Sequence, residues 1–298
     1  MRAIVLRALF AMSVSIVACS PVQFSKISQN DDRHLERHNH LSAFDTNPSA
    51  ANGESLNFKS ENPRAVQCSQ DFAKMPIKVL FVVDTSGSNS FAYRGSKNGT
   101  CVGSLGCVPA TDPNKKFRSG SIREFFEKYK DKTNFSWGFE TFSGNDVQFY
   151  IGRNMNDIFG DAQAMESAID LFNHEYDRGK TPYLKAMEAL RAAVSNDYTT
   201  NFKVEYPPLY YIVFMSDGYP TDSTPAEINA EVEDVIALDA SRISLSTIYY
   251  GTQNDPGAAW TLQNMASTGG GEFVNFDTNS HDTISIQDLI GLPTTTCL

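Results

Sequence analysis

The chain has 298 residues, 41% of them apolar and 20% charged, which are ordinary proportions for a globular protein able to bury a sizeable core. Its formal net charge is −10. An acidic chain is repelled by nucleic acid and by anionic lipid headgroups, so neither is an expected partner, whereas divalent cations are attracted to it.

The first twenty residues read MRAIVLRALFAMSVSIVACS. Arg2 and Arg7 precede the apolar stretch Ala8–Ala18, which is shorter than the roughly 20 residues a bilayer-spanning helix needs, so the segment reads as a secretory signal. Its Ile16-Val17-Ala18-Cys19 ending resembles the bacterial lipobox, where cleavage precedes a lipid-modified cysteine. The resemblance implies acylation of Cys19 with more than one chain, as stable membrane anchoring requires; a plain signal peptide with an incidental Cys19 is the alternative. Ser20 stands where an Asp would retain a Gram-negative lipoprotein in the inner membrane, so the resemblance implies the outer membrane, on either face. Removing residues 1–18 takes away Arg2 and Arg7 and no acid, moving the net charge from −10 to −12. Export also implies an oxidising compartment for Cys68, Cys101, Cys107 and Cys297, which allow three pairings. Cys101 and Cys107 enclose the short loop VGSLG and are expected to pair, leaving Cys68 and Cys297 to staple the ends of the folded region; reduced thiols are the alternative.

Residues 19–66 are rich in Ser, Asn, Asp, Glu and His with little apolar periodicity, and read as a solvated tether. His34, His38 and His40 lie in it without the partner set of a metal site, so they count as linker. From residue 67 to 298 strands and helices alternate. IKVLFVV (77–83) is a doubly covered strand, and SIREFFEKYK a helix with a Ser121/Glu124 capping box and an inward face of Ile122, Phe125, Phe126 and Tyr129. NFSWGFETFSG and DVQFYIGR flank a Gly-Asn turn as a hairpin. AQAMESAIDLF and TPYLKAMEALRAAV follow as helices, the second with Pro182 in its first turn. LYYIVFM (209–215) is a second buried strand. The next helix is capped by Thr224 and Glu227 and turns Ile228, Val232, Val235 and Ile236 inward. ISLSTIYYG, PGAAWTLQNMAS, GEFVNF and ISIQDLIGL complete the series as strand, helix, strand and short helix. The expected fold is a doubly wound α/β domain: a mostly parallel central sheet, one antiparallel edge strand, and helices on both faces.

In such sheets ligands bind beyond the carboxyl ends of the strands. The first strand delivers Asp84, Ser86 and Ser88 there, the central one Ser216, Asp217 and Gly218, and a loop before a helix carries Thr181. With the runs Gly179–Leu190, Asp217–Asp222 and Met265–Phe273, this order of motifs resembles the von Willebrand factor A-type domain over Cys68–Cys297. The resemblance implies a metal-ion-dependent adhesion site of Asp84, Ser86, Ser88, Thr181 and Asp217. Ser86, Ser88 and Thr181 would bind the ion directly, and Asp84 and Asp217 mainly through water. These donors are all oxygen, which suits a hard cation such as Mg²⁺, with Mn²⁺ or Ca²⁺ as substitutes. Two carboxylates leave the ion incompletely neutralised, and the resemblance implies that an acidic side chain of a partner protein fills its open position.

Between Ser90 and Ser121 the connection is far longer than the usual 4–6 residues or so. This insertion, at about 91–120, is expected to carry the Cys101–Cys107 bridge and to contribute a partner-binding rim in which Tyr93 and Arg94 join Tyr219 and Asp222. RGKT at 178–181 fails as a phosphate-binding loop, because His174 stands where its first glycine belongs. His174 and His281 fall in no nucleophile–base signature. An anchored, metal-dependent binding module is therefore the leading expectation and no enzyme activity is expected. A periplasm-facing assembly scaffold is the alternative, and a metal-dependent hydrolase, for which no convincing general base is present, ranks last.

Overall fold

The computed structural model describes residues 74–90, 93–94, 107–108, 110–152, 157–251, 255–276 and 283–292, with backbone alone for 93–94 and 107–108. The chain divides into units Met1–Asn57 and Phe58–Leu298, and every described residue belongs to the second. Cys19, the tether, Cys68, Cys101 and Cys297 lie outside the described residues, and so do both expected disulfides.

Six strands form one sheet: β1 (Ile77–Asp84), β4 (Phe135–Ser143), β5 (Asp146–Phe149), β6 (Leu209–Ser216), β7 (Ile243–Tyr249) and β8 (Gly270–Asn275). Their order across it is β5-β4-β1-β6-β7-β8. All neighbours run parallel except the β4–β5 hairpin. A second, two-stranded ladder pairs β2 (Tyr93–Arg94) with β3 (Cys107–Val108) inside the insertion. The fold class expected from the alternating pattern is the one observed.

Period-two alternation splits β1 between two cores. Ile77, Val79, Phe81 and Val83 face one side, with α1 (Lys116–Tyr129), α2 (Ala162–His174) and α6 (Ile286–Leu289). Leu80 and Val82 face the other, with α3 (Tyr183–Asn201), α4 (Pro225–Ile236) and α5 (Pro256–Thr268). Burial on both sides explains why these strands read as unbroken apolar runs. The α4 capping box between Thr224 and Glu227 forms as expected, and Ile228, Val232 and Val235 are buried.

One helix start differs. The α1 helix begins at Lys116, and Ser121 lies buried within it, where its hydroxyl accepts from the backbone N–H of Ile284. Residues 116–120, assigned to the insertion by sequence, therefore belong to α1. The first turn is capped from upstream, the carboxylate of Asp112 accepting from the N–H groups of Phe117 (2.8 Å) and Arg118 (3.1 Å). A cap outside the adjacent position leaves no capping-box signature in sequence.

Glu140 is a local conflict. It alternates with Gly138 and Phe142 on β4, is fully buried, and neither carboxyl oxygen has a hydrogen-bond partner. Burial pushes its pKa well above the usual 4.5. The folded chain thus holds a proton that the unfolded chain releases, so Glu140 lowers stability as pH rises above about 4.5. Glu140→Met is expected to raise stability at pH 7 by about 1–3 kcal/mol, with the gain narrowing towards pH 4.5 in urea denaturation series.

Candidate metal centre

The strand order reverses direction between β1 and β6, the place where doubly wound sheets open a crevice at their carboxyl edge. Asp84 ends β1 and Asp217 follows β6 directly, so both carboxylates arrive at that crevice from adjacent strands. Both are buried, at 0% and 7% exposure.

The loop after β1 is fixed by its own polar groups. One oxygen of Asp84 accepts from the Ser86 N–H at 2.6 Å, and the other from the Ser216 hydroxyl at 2.5 Å. Both oxygens are thus spent on shaping the loop, which fits the water-mediated role expected for Asp84. Ser86 Oγ lies 3.0 Å from Ser88 Oγ, and Ser88 Oγ donates to Asp217 Oδ1 at 2.9 Å. Asp217 Oδ2 is buried without a partner. Thr181 is buried at the facing edge, with Oγ1 3.6 Å from where a Cβ on Gly218 would stand. The five residues singled out by sequence are therefore brought to one edge.

Gly179 places Thr181. Its φ of +78° belongs to the left-handed region, and a Cβ there would stand 2.7 Å from the Gly144 Cα. Glycine lets residues 178–181 run against the metal-loop backbone: Arg178 N–H donates to Thr85 O (2.8 Å), and Gly87 N–H donates to Gly179 O (3.1 Å).

Electrostatically the pair is unresolved without a cation. Burial, followed by repulsion from Asp217, pushes the Asp84 pKa up to about 7, against hydrogen bonds from Ser216 and Ser86. Burial likewise raises Asp217, opposed by hydrogen bonding from Thr111 and Ser88 and by Arg118. Two buried acids, an orphaned carboxylate oxygen and three hydroxyls form a donor set that fits a small hard divalent ion. No cluster of three or more His, Cys, Asp or Glu suited to a metal lies among the described residues, so an ion at this edge depends on the hydroxyls.

Residues that sequence reasoning passed over hold the edge together. Arg118 is fully buried. Its Nε donates to Asp112 (2.8 Å), its Nη1 to the Asp84 carbonyl (2.5 Å), and its Nη1 and Nη2 to the two oxygens of Asp177 (3.1 and 2.8 Å). Lys115 Nζ lies 3.5 Å from Asp177, and Ser90 Oγ donates to it at 2.7 Å. Although burial opposes its charge, Asp177 is held below the usual carboxylate value by Arg118, Ser90 and Lys115. The insertion returns to its root here, Thr111 N–H donating to Ser88 O (3.0 Å) and Asp112 N–H to Asn89 O (3.2 Å). No local motif announces this network, because its members are brought together only by the fold.

On the expected rim, Tyr219 is 44% exposed. Asp222 is exposed, but its carboxylate accepts from the N–H groups of Leu184 (3.3 Å) and Lys185 (3.2 Å), so it serves the start of α3. Tyr93 and Arg94 are described in backbone only. His174 is exposed, with Nδ1 2.7 Å from Asp170 O within its own helix.

No family model matches the chain, and no curated protein matches it. Solved structures are similar. A von Willebrand factor type A structure from Catenulispora acidiphila is 12% identical, with 68% of this chain and 39% of that one covered at a TM-score of 0.49. Manganese-loaded TRAP protein of Plasmodium vivax is 13% identical (69% and 70% covered, TM-score 0.43). The vWF domain of the type V pili tip protein Mfa5 from Porphyromonas gingivalis is 11% identical (69% and 91% covered, TM-score 0.45). Likeness at this level carries no residue roles, and those rest on the geometry above.

Arg118→Met is expected to destabilise the domain by about 3–5 kcal/mol, because it leaves Asp112 buried without its cation and Asp177 with Lys115 alone; chemical denaturation measures it.

Proposed function

We propose that this chain is a von Willebrand factor A-type binding module that holds a divalent cation at the β1/β6 edge and uses it to grip a carboxylate of a partner protein. The observation that carries the reading is Asp217: buried, joined to Ser88, and left with one oxygen unpartnered. A buried acceptor of this kind costs about 1–3 kcal/mol unless something fills it, and water bound to an Mg²⁺ ion would fill it while the ion's charge relieves the repulsion on Asp84.

Ser86, Ser88 and Thr181 would contact the ion. Asp84 would hold the loop and Asp217 would orient the neighbouring hydroxyls and water. The ion supplies electrophilicity at an open position; Mn²⁺ and Ca²⁺ are the expected substitutes. The reading assigns the chain no catalytic role. It also places the module in the bacterial outer membrane, held by acylated Cys19 at the end of a polar tether, as the lipobox resemblance implies. No helix among the described residues is long and apolar enough to cross a membrane.

Adding millimolar Mg²⁺ is expected to raise the melting temperature of the parent by several degrees, since ligand at about 100 times Kd adds roughly 2.7 kcal/mol. The Asp84→Ala/Thr181→Ala double variant is expected to lose the shift. A double variant that responds like the parent contradicts the site.

A further inference from the structure

Residues 178–185 read RGKTPYLK, three cations and no acid, in a chain with 25 basic and 35 acidic residues. The segment surrounds Thr181 and lies along the metal loop, tied to it at Thr85 and Gly87. Lys180 O also accepts from the Gly144 N–H at 2.8 Å, so the segment is pinned on both sides. Arg178, Lys180 and Lys185 are exposed.

Three acids near the segment are engaged elsewhere. Asp177 is held by Arg118, Ser90 and Lys115. The Glu175 carboxylate accepts from the Tyr150 hydroxyl. Asp222 accepts from α3 N–H groups and from Ser223, and it lies against the backbone of Lys185, whose own Nζ is 3.4 Å from Asn145 O. Among the described residues neither the Arg178 nor the Lys180 side chain takes part in an ion pair. Two cations with no ion pair among the described residues are thus held on hydrogen-bonded backbone within three residues of Thr181. The metal would take one carboxylate; this pair is placed to take another.

We propose that Arg178 and Lys180 form a cationic flank that reads a second acidic residue beside the metal-bound one, so that the partner is a protein presenting an acidic cluster. The proposal rests on the metal reading for the first carboxylate only. Charge complementarity picks the occupant: the flank is locally positive, while the acidic remainder of the chain disfavours extended polyanions such as nucleic acid. Exposed ion pairs are screened within about 10 Å at 0.1 M salt, so the flank contributes selectivity that weakens as salt rises.

The test compares two five-residue peptides with blocked termini, one carrying a single central aspartate and one with that aspartate between two glutamates. Binding to the protein is followed by NMR or calorimetry in Mg²⁺ and in EDTA. The acid-rich peptide is expected to bind about three- to tenfold more tightly in Mg²⁺, the scale that two exposed ion pairs supply. Arg178→Glu/Lys180→Glu is expected to erase that preference while Mg²⁺ still raises its melting temperature. Equal binding of both peptides by the parent overturns the flank and leaves the metal reading standing. A preference that persists in EDTA and vanishes in the charge-reversal variant supports the flank and contradicts the metal reading. A single-stranded oligonucleotide that binds the flank as tightly as the acid-rich peptide overturns the assignment of a protein partner, and failure of both peptides to bind overturns both readings.

Discussion

Two carboxylates, Asp84 and Asp217, are buried at the ends of neighbouring parallel strands, with no cationic side chain among the described residues bonded to either carboxyl group. Each raises the cost of ionising the other, and the fold does nothing to move them apart. Arg118, the cation buried nearest, spends its guanidinium on Asp112, Asp177 and a carbonyl. Such a pair destabilises a domain unless a positive charge arrives from outside. The rest of the edge makes sense as the means of holding that strain in one shape until it does.

That holding is done by two networks. Ser86, Ser88 and Ser216 fix the carboxylates by hydrogen bonds, and Gly179 allows the Thr181 segment to close against them. The Arg118 network binds the loop after β1, the start of α1, the loop before α3 and the root of the insertion into one polar unit. Removing a buried partner from such a unit costs more than forming it gains. The insertion therefore leaves and re-enters the fold at the most constrained part of the edge, through the Ser88–Thr111 and Asn89–Asp112 backbone bonds.

The architecture was largely legible in sequence because β1 and β6 are buried on both faces and read as unbroken apolar runs, while α4 carries its capping box in adjacent residues. Four of the five candidate site residues were legible for a related reason: strand ends put them in D-x-S-x-S and S-D-G runs with fixed offsets, while Thr181 came from the Gly179–Leu190 run. What escaped was long-range. Asp112 caps α1 from outside the capping position, so Ser121 was given a role it does not have. Arg118 looks like any helical arginine until the fold surrounds it with Asp177 and the Asp84 carbonyl. Asp222 reads as a free rim acid, and its engagement with α3 is visible only in three dimensions. Glu140 contradicts its strand pattern, and nothing in the sequence marks the burial that raises its pKa.

The most direct test is crystallographic: grow the domain with Mn²⁺ and record anomalous diffraction at the manganese edge. The account predicts a single strong peak about 2.0–2.3 Å from the hydroxyls of Ser86, Ser88 and Thr181, with Asp84 and Asp217 in its surrounding shell. A fully loaded crystal with no peak at this edge, or with its peak elsewhere, would contradict it.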